Sequence, residues 1–249
     1  MPPAPDGPPA LATSVVMPAY NEADLLERSV ADVVDGLGAS TGSFEVIVVE
    51  NGSRDGTAAI ADRLAATTPE VRTLHLPAAD YGAALRAGFL AAHGDTVVCF
   101  DVDYYDLAFV AAAQARLDGN DAPAIVVGSK RAAGARDERT ALRRLVTTVF
   151  SAILRYGFGL RVSDTHGMKA LRRRAVEPLV RVCRFGTDLF DTELVLRAER
   201  AGLLTVELPV VVVERRPSRS SIVRRVPRTV WGLVRLRFLL GRDRAPGKR

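Results

Sequence analysis

Phe44-Glu45-Val46-Ile47-Val48-Val49 is a nearly continuous apolar run, followed by the turn-rich Glu50-Asn51-Gly52-Ser53-Arg54-Asp55-Gly56 and a helical stretch over 57–66. A strand that is apolar throughout needs cover on both faces, which is the mark of a parallel sheet sandwiched by helices. The same unit repeats outward from it. Residues 14–18 read as a strand, and 22–37 carry apolar residues at helical spacing (Leu25, Leu26, Val30, Val33, Val34, Leu37) with Gly38 as a stop. Strands at 71–76 and 96–100 flank a helix at 83–92. The expected fold is therefore α/β, with a mostly parallel central sheet and helices on both faces. In such sheets ligands bind beyond the carboxyl ends of the strands. The unusual polar residues follow Val16, Val49 and Phe100, at those ends.

The second half is less regular. It predicts a strand at 124–127, a long helix at 139–154, a turn at Asp164-Thr165-His166-Gly167, a helix within 187–201, and an apolar strand at 203–213 broken by Pro209. No internal repeat is visible. The proline-rich residues 1–12 read as a disordered leader without the basic start and apolar stretch of a signal peptide. Residues 13–221 form the main domain and 222–249 a tail.

With 249 residues, 48% of them hydrophobic, a substantial core can form. Cys99 and Cys183 lie far apart without metal-type spacing, so both are expected to be free buried thiols, as suits a reducing cytoplasm. The net charge of +5 is unevenly placed. Residues 222–249 hold nine Arg or Lys against the single acid Asp243, a charge of +8, which leaves −3 for the rest. A basic tail on a mildly acidic body points to an anionic surface and gives no support to nucleic-acid binding by the body. No run reaches the roughly 18 apolar residues of a spanning helix. Pro227 suits a first helical position and Gly241 a stop, with Val226, Val230, Leu233, Val234 and Leu240 on one face. Such a helix lies on an anionic cytoplasmic leaflet or packs on its own domain.

Three segments carry chemistry. In Phe100-Asp101-Val102-Asp103, two carboxylates two residues apart at a strand end can hold one hard cation such as Mg²⁺ or Mn²⁺. Each of the others has a complete structural explanation when taken alone. In Met17-Pro18-Ala19-Tyr20-Asn21-Glu22, Pro18 ends a strand, Asn21 caps a helix and Glu22 complements its dipole. In the segment from Glu50 to Thr57, a tight turn and helix cap explain the glycines. Asp106 is placed either to make an extra metal or acceptor contact or to cap a further helix.

In this order and spacing, the three segments resemble the family 2 glycosyltransferases, over roughly 14–222. The resemblance implies the GT-A fold and an inverting transfer from a nucleotide-diphosphate sugar. It implies that Pro18, Tyr20 and Glu22 line the nucleotide pocket, that Glu50 (more often Asp in the family) meets base or ribose, and that Asp101 and Asp103 hold metal and diphosphate. Within the family, the chain resembles most the polyprenyl-phosphate sugar synthases. This rests on the segment from Asp80 to Phe89, on Gly128-Ser129-Lys130, on the segment from Asp164 to Lys169, and on Arg215 through Ser220-Ser221-Ile222. It departs from them in having Tyr104-Tyr105 after Asp103, Lys130 for Arg, and Ser221 for Lys. The implied acceptor is a polyprenyl phosphate, contacted by Lys130, Arg131, Arg143, Arg144, Arg215 and Ser220, with Asp80 as a further substrate-binding residue. A phosphate acceptor is already an anion and needs no strong base. A saccharide or small-molecule hydroxyl would need one, and Asp164, Asp191 and Glu193 are the candidates. A third reading is a catalytically silent nucleotide-sugar-binding or membrane-docking module, against which the intact Asp101 and Asp103 argue. Membrane contact through 222–249, at the inner face of the cell membrane, would suit the lipid acceptor. The oligomeric state is left open.

Overall fold

The computed structural model describes residues 11–40, 42–129, 136–137, 141–186, 189–212 and 222–242, without the side chains of 40, 136–137, 141–144, 211–212, 222–228 and 242. Lys130, Arg131, Arg215 and Ser220 lie outside the described residues, as do the side chains of Arg143 and Arg144 and most of the expected leader.

The first half follows the expected alternation: β1 (Thr13–Ala19), α1 (Leu26–Ser40), β2 (Phe44–Asn51), α2 (Thr57–Thr67), β3 (Val71–Leu76), α3 (Tyr81–Ala91), β4 (Thr96–Cys99) and α4 (Leu107–Leu117). The second half runs β5 (Ile125–Ser129), the short β6 (Arg136–Asp137), α5 (Ala141–Ala152) with a π-helical turn (Ile153–Gly157), β7 (Lys169–Arg172), α6 (Arg173–Val182), α7 (Phe190–Arg200), β8 (Thr205–Pro209), the short β9 (Val211–Val212) and α8 (Ile222–Arg242). The main sheet has the order β3-β2-β1-β4-β7-β5-β8. Only β7 runs antiparallel to its neighbours there, so the turn that precedes it reaches the same edge as the carboxyl ends of the other strands.

Strand alternation divides the core. Val15, Met17, Val46, Val48 and Val98 face α1, α2 and α4, while Val16, Ile47, Val49, Val97 and Cys99 face α3, α6 and α7. Both cysteines are free and buried, as expected. A third apolar cluster joins Leu154, Leu160, Val162, Leu189, Val195 and Leu196 to Leu233, Leu236 and Leu240 of α8. Helix α7 thus serves two cores, which explains why most of it is buried.

Four local expectations are corrected. Pro18 does not end β1, which continues to Ala19. The Val16 carbonyl accepts from Phe100 N, so by the two-residue period Pro18 faces the same side. There β4 has already ended at Cys99, opposite Val16, and no ladder donor is missed. Helix α1 begins at Leu26 rather than residue 22, after a turn in which Leu25 N and Leu26 N donate to the Glu22 carbonyl, and it runs past Gly38. Asn21 is accordingly no cap; it sits at φ 54°, a region that asparagine tolerates. Helix α8 starts before Pro227 and includes Gly241, and its buried stripe is Leu233, Leu236 and Leu240, with Val230 and Val234 outside.

Candidate functional site

The carboxyl edge of the sheet is cross-linked loop by loop. The loops after β1 and β2 interlock: Asn21 N donates to Ser53 Oγ (3.0 Å), Glu22 N to Thr57 Oγ1 (2.8 Å), and Arg54 N to Asn21 Oδ1 (2.9 Å). Gly52 permits the turn, with φ 68° and its α-carbon packed so closely on the Ala78 backbone that a side chain would collide. Glu50 is buried at the end of β2 and accepts from Ser53 N (2.6 Å). Burial pushes its carboxyl up, but donors from Ser53, His75 and the Gly52 backbone outweigh that and hold it below its ordinary value. His75 bridges Glu50 (3.4 Å) and Asp62 (2.8 Å). Asp80 caps α3 by accepting from Ala83 N, and its own N–H donates to Asn51 Oδ1 (2.9 Å), which ties the loop after β3 to β2.

After β4 the chain makes a tight turn in which Asp101 and Tyr104 exchange backbone hydrogen bonds. Val102 is buried, and its carbonyl accepts from Ser29 Oγ (2.7 Å), so the turn is pinned onto α1. Asp101 and Asp103 flank that anchor. Tyr81, at the start of α3, donates to Asp101 Oδ1 (2.8 Å). Withdrawal from water pushes the Asp101 carboxyl up to about 6; the Tyr81 hydroxyl opposes this, and the charges of Asp103 and Asp191 add to it. Asp106 caps α4 through Ala108 N and Phe109 N, the second of its two readings.

Behind this turn lies a buried ion pair. Lys169, 1% exposed and opposite Cys99 in the register, places Nζ 2.9 Å from Asp191 Oδ1 and donates to the Gly167 carbonyl (2.8 Å). Burial pulls the lysine pKa down, but Asp191 and its neighbours overcome this and keep the ammonium charged. Glu193 is fully buried and accepts from Arg184 N, Phe185 N and Arg197 Nε. Asp164 is buried and shapes its turn by accepting from His166 N (3.0 Å). His166 packs edge-on against Phe150 at 5.3 Å, a structural contact in its turn.

The structure therefore brings Pro18, Tyr20, Glu22, Glu50, Asp80, Asp101, Asp103, Asp164 and Asp191 to one edge. It adds two residues to which the sequence reading gave no role, Tyr81 and Lys169. The signal for Lys169 was a lysine inside the apolar run Met168-Lys169-Ala170-Leu171. Among the described residues, no group of three or more His, Cys, Asp or Glu side chains could cage a metal. Two neighbouring carboxylates still fit a hard cation whose remaining positions are filled by substrate phosphates and water.

The sequence profile of glycosyl transferase family 2 matches residues 14–180. The chain is 33% identical over 233 residues to glycosyltransferase AglD of Haloferax volcanii, covering 89% of this chain but 37% of that protein. It is 31% identical over 216 residues to the polyprenol monophosphomannose synthase of Mycolicibacterium smegmatis (83% and 79% of the two chains). Its fold matches glucosyl-3-phosphoglycerate synthase from Mycobacterium tuberculosis, solved with Mn²⁺, uridine diphosphate and glucosyl-3-phosphoglycerate. There the TM-score is 0.66 at 25% identity, covering 96% of this chain and 82% of that one.

Proposed function

The chain belongs to glycosyl transferase family 2, and from that premise we propose that it transfers a sugar, with inversion, from a nucleotide-diphosphate sugar to a polyprenyl phosphate. Asp101 and Asp103 would hold Mg²⁺ or Mn²⁺. When bound, the cation would offset charge on the departing diphosphate. The chain's own part is to hold the two carboxylates still: Val102 is anchored under α1, and Tyr81 fixes one oxygen of Asp101. Pro18, Tyr20, Glu22 and Glu50 line the nucleotide side, with Asp80 fixing the neighbouring loop. The acceptor's phosphate oxygen forms the new bond to the anomeric carbon as the bond to the diphosphate breaks.

The observation that carries the phosphate acceptor is the Lys169–Asp191 pair. A carboxylate bound to a buried ammonium is a poor proton acceptor. Glu193 is spent on Arg197 and two backbone donors, and one oxygen of Asp164 accepts within its own turn. Asp191 and Glu193 are thus engaged, and a phosphate acceptor needs no base. The likeness to a polyprenol monophosphomannose synthase supports the same reading, as do the basic residues Lys130, Arg131, Arg144 and Arg215, together with Ser220, by sequence. An acceptor of this kind places the enzyme on the cytoplasmic face of a membrane. A hydroxyl acceptor is the second reading, favoured by the likeness to a synthase solved with glucosyl-3-phosphoglycerate.

The test is nucleotide release from a panel of UDP- and GDP-sugars with Mn²⁺ or Mg²⁺, with and without a short polyprenyl phosphate. Release that needs the lipid phosphate and vanishes in Asp103→Ala supports the proposal. Release that a hydroxyl acceptor stimulates instead, and that is lost in Asp164→Asn with metal binding intact, sinks it.

A further inference from the structure

Helix α8 is apolar on two opposite faces. The inner one, Leu233, Leu236 and Leu240, is buried in the third core cluster, and Gly232 lets the helix approach the Leu189 side chain. The outer one carries Val230, Val234 and Phe238, which align at four-residue spacing, with Trp231 beside them; all four are 48–71% exposed. Arg235 and Arg237 border that outer stripe. The Arg235 guanidinium lies over the Trp231 ring at 4.8 Å.

A second exposed set lies on α5 and its π-helical turn: Leu145, Val149 and Ile153 at four-residue spacing, then Tyr156. Of the eleven exposed large hydrophobic residues among those described, these two segments hold eight. Single exposed apolar residues are ordinary; this concentration is not. The two segments are neighbours, because Leu154 and Phe150 share the cluster of Leu233 and Leu236, and the Arg237 guanidinium lies 6.0 Å from the Phe158 ring centroid.

We infer that the outer face of α8, with the exposed side of α5 and its π turn, is a docking surface for an anionic lipid bilayer. Charge decides between occupants. Residues 222–249 carry nine basic residues and one acid, so a second copy would set one basic tail against another, whereas anionic headgroups complement it. The exposed Trp231 and Tyr156 suit the headgroup level. Among the described residues no helix is long and apolar enough to cross a membrane, so the contact lies in the interface plane. This inference stands on exposure and charge and holds for either acceptor.

Trp231 is the chain's single tryptophan and therefore reports on this face directly. Its emission and the sedimentation of the protein are followed with vesicles of phosphatidylcholine alone and with added phosphatidylglycerol, both free of polyprenyl phosphate. Expected are a blue shift and co-sedimentation with the anionic vesicles, reversed by salt. The exposed-face variant Val234→Glu/Phe238→Glu binds at least about tenfold more weakly, with its melting temperature and its donor hydrolysis in solution unchanged. An unshifted spectrum with all protein in the supernatant overturns the inference. So does a blue shift that grows with protein concentration without lipid, which assigns the face to a second copy. Vesicle binding is read without turnover, so this inference and the acceptor reading can each fail alone.

Discussion

Glu45 and Asp101 belong to the same sheet, Glu45 near the amino ends of its strands and Asp101 just beyond the carboxyl ends. Glu45 is buried, yet it accepts from Ser14 Oγ (2.6 Å), His93 N (2.8 Å) and Arg72 Nε (2.7 Å). Burial pushes its carboxyl up, but these donors and the Arg72 charge outweigh it and hold it below its ordinary value. Burial pushes the Asp101 carboxyl up to about 6; the Tyr81 hydroxyl and the Lys169 charge oppose this, and the carboxylates of Asp103 and Asp191 add to it. One edge gives its acid everything that an anion needs from within the chain. The other gathers several carboxylates, and the chain's own donors and charges there do not offset the burial of Asp101. The contrast teaches that withdrawal from water does not by itself mark a functional acid; what matters is whether the donors around it come from the protein or must come from a ligand.

The comparison can be broken by substitution at each edge. The largest effect is expected at the carboxyl edge. Asp103→Ala should lower metal-dependent nucleotide release by about 10³-fold or more, the several kcal/mol that a Lewis acid supplies, with little change in melting temperature. A variant that unfolds instead would make Asp103 structural. Next comes Lys169→Met, which strands Asp191 in the core and should cost at least about 3 kcal/mol in denaturant unfolding. A cost below about 1 kcal/mol would mean that the pair is not closed in solution. At the opposite edge, Glu45→Gln should lose roughly 1–3 kcal/mol of stability by leaving buried donors poorly met, while kcat and KM stay as they were. Any change in kcat would undo the division between edges.

The smallest effect sharpens the comparison at Glu50. The hydrogen bond to Asp62 raises the His75 pKa; burial opposes this and Glu50 adds to it. A raised folded value means that the protonated imidazole stabilises the fold. That contribution is complete below the ordinary value of about 6.5 and fades as pH rises through the raised one. The melting-temperature gap between the native chain and His75→Gln should therefore be widest at mildly acidic pH and shrink above neutrality. A gap that is flat with pH would show that the bridge does not form.

Much of this was legible in the chain. The apolar run at 44–49, the strand at 71–76 and the turn chemistry between them specified a parallel sheet, because period and punctuation are local properties. The order of the three polar segments specified the family and which strand ends bear carboxylates. The reversal of β7 was not legible, nor were β7 and α6 as elements, since a four-residue strand is decided by its neighbours. Pro18 was misread because its place inside β1 depends on where β4 stops. Asn21 was misread because its partner lies in the loop after β2. The roles of Tyr81 and Lys169 were invisible, because their partners Asp101 and Asp191 are 20 and 22 residues away in the chain. That the tail is helical, amphipathic and basic was likewise legible. Only packing decided that Leu233, Leu236 and Leu240 turn inward and that Val230, Trp231, Val234 and Phe238 are left outside, because which apolar stripe a helix buries depends on the core it meets.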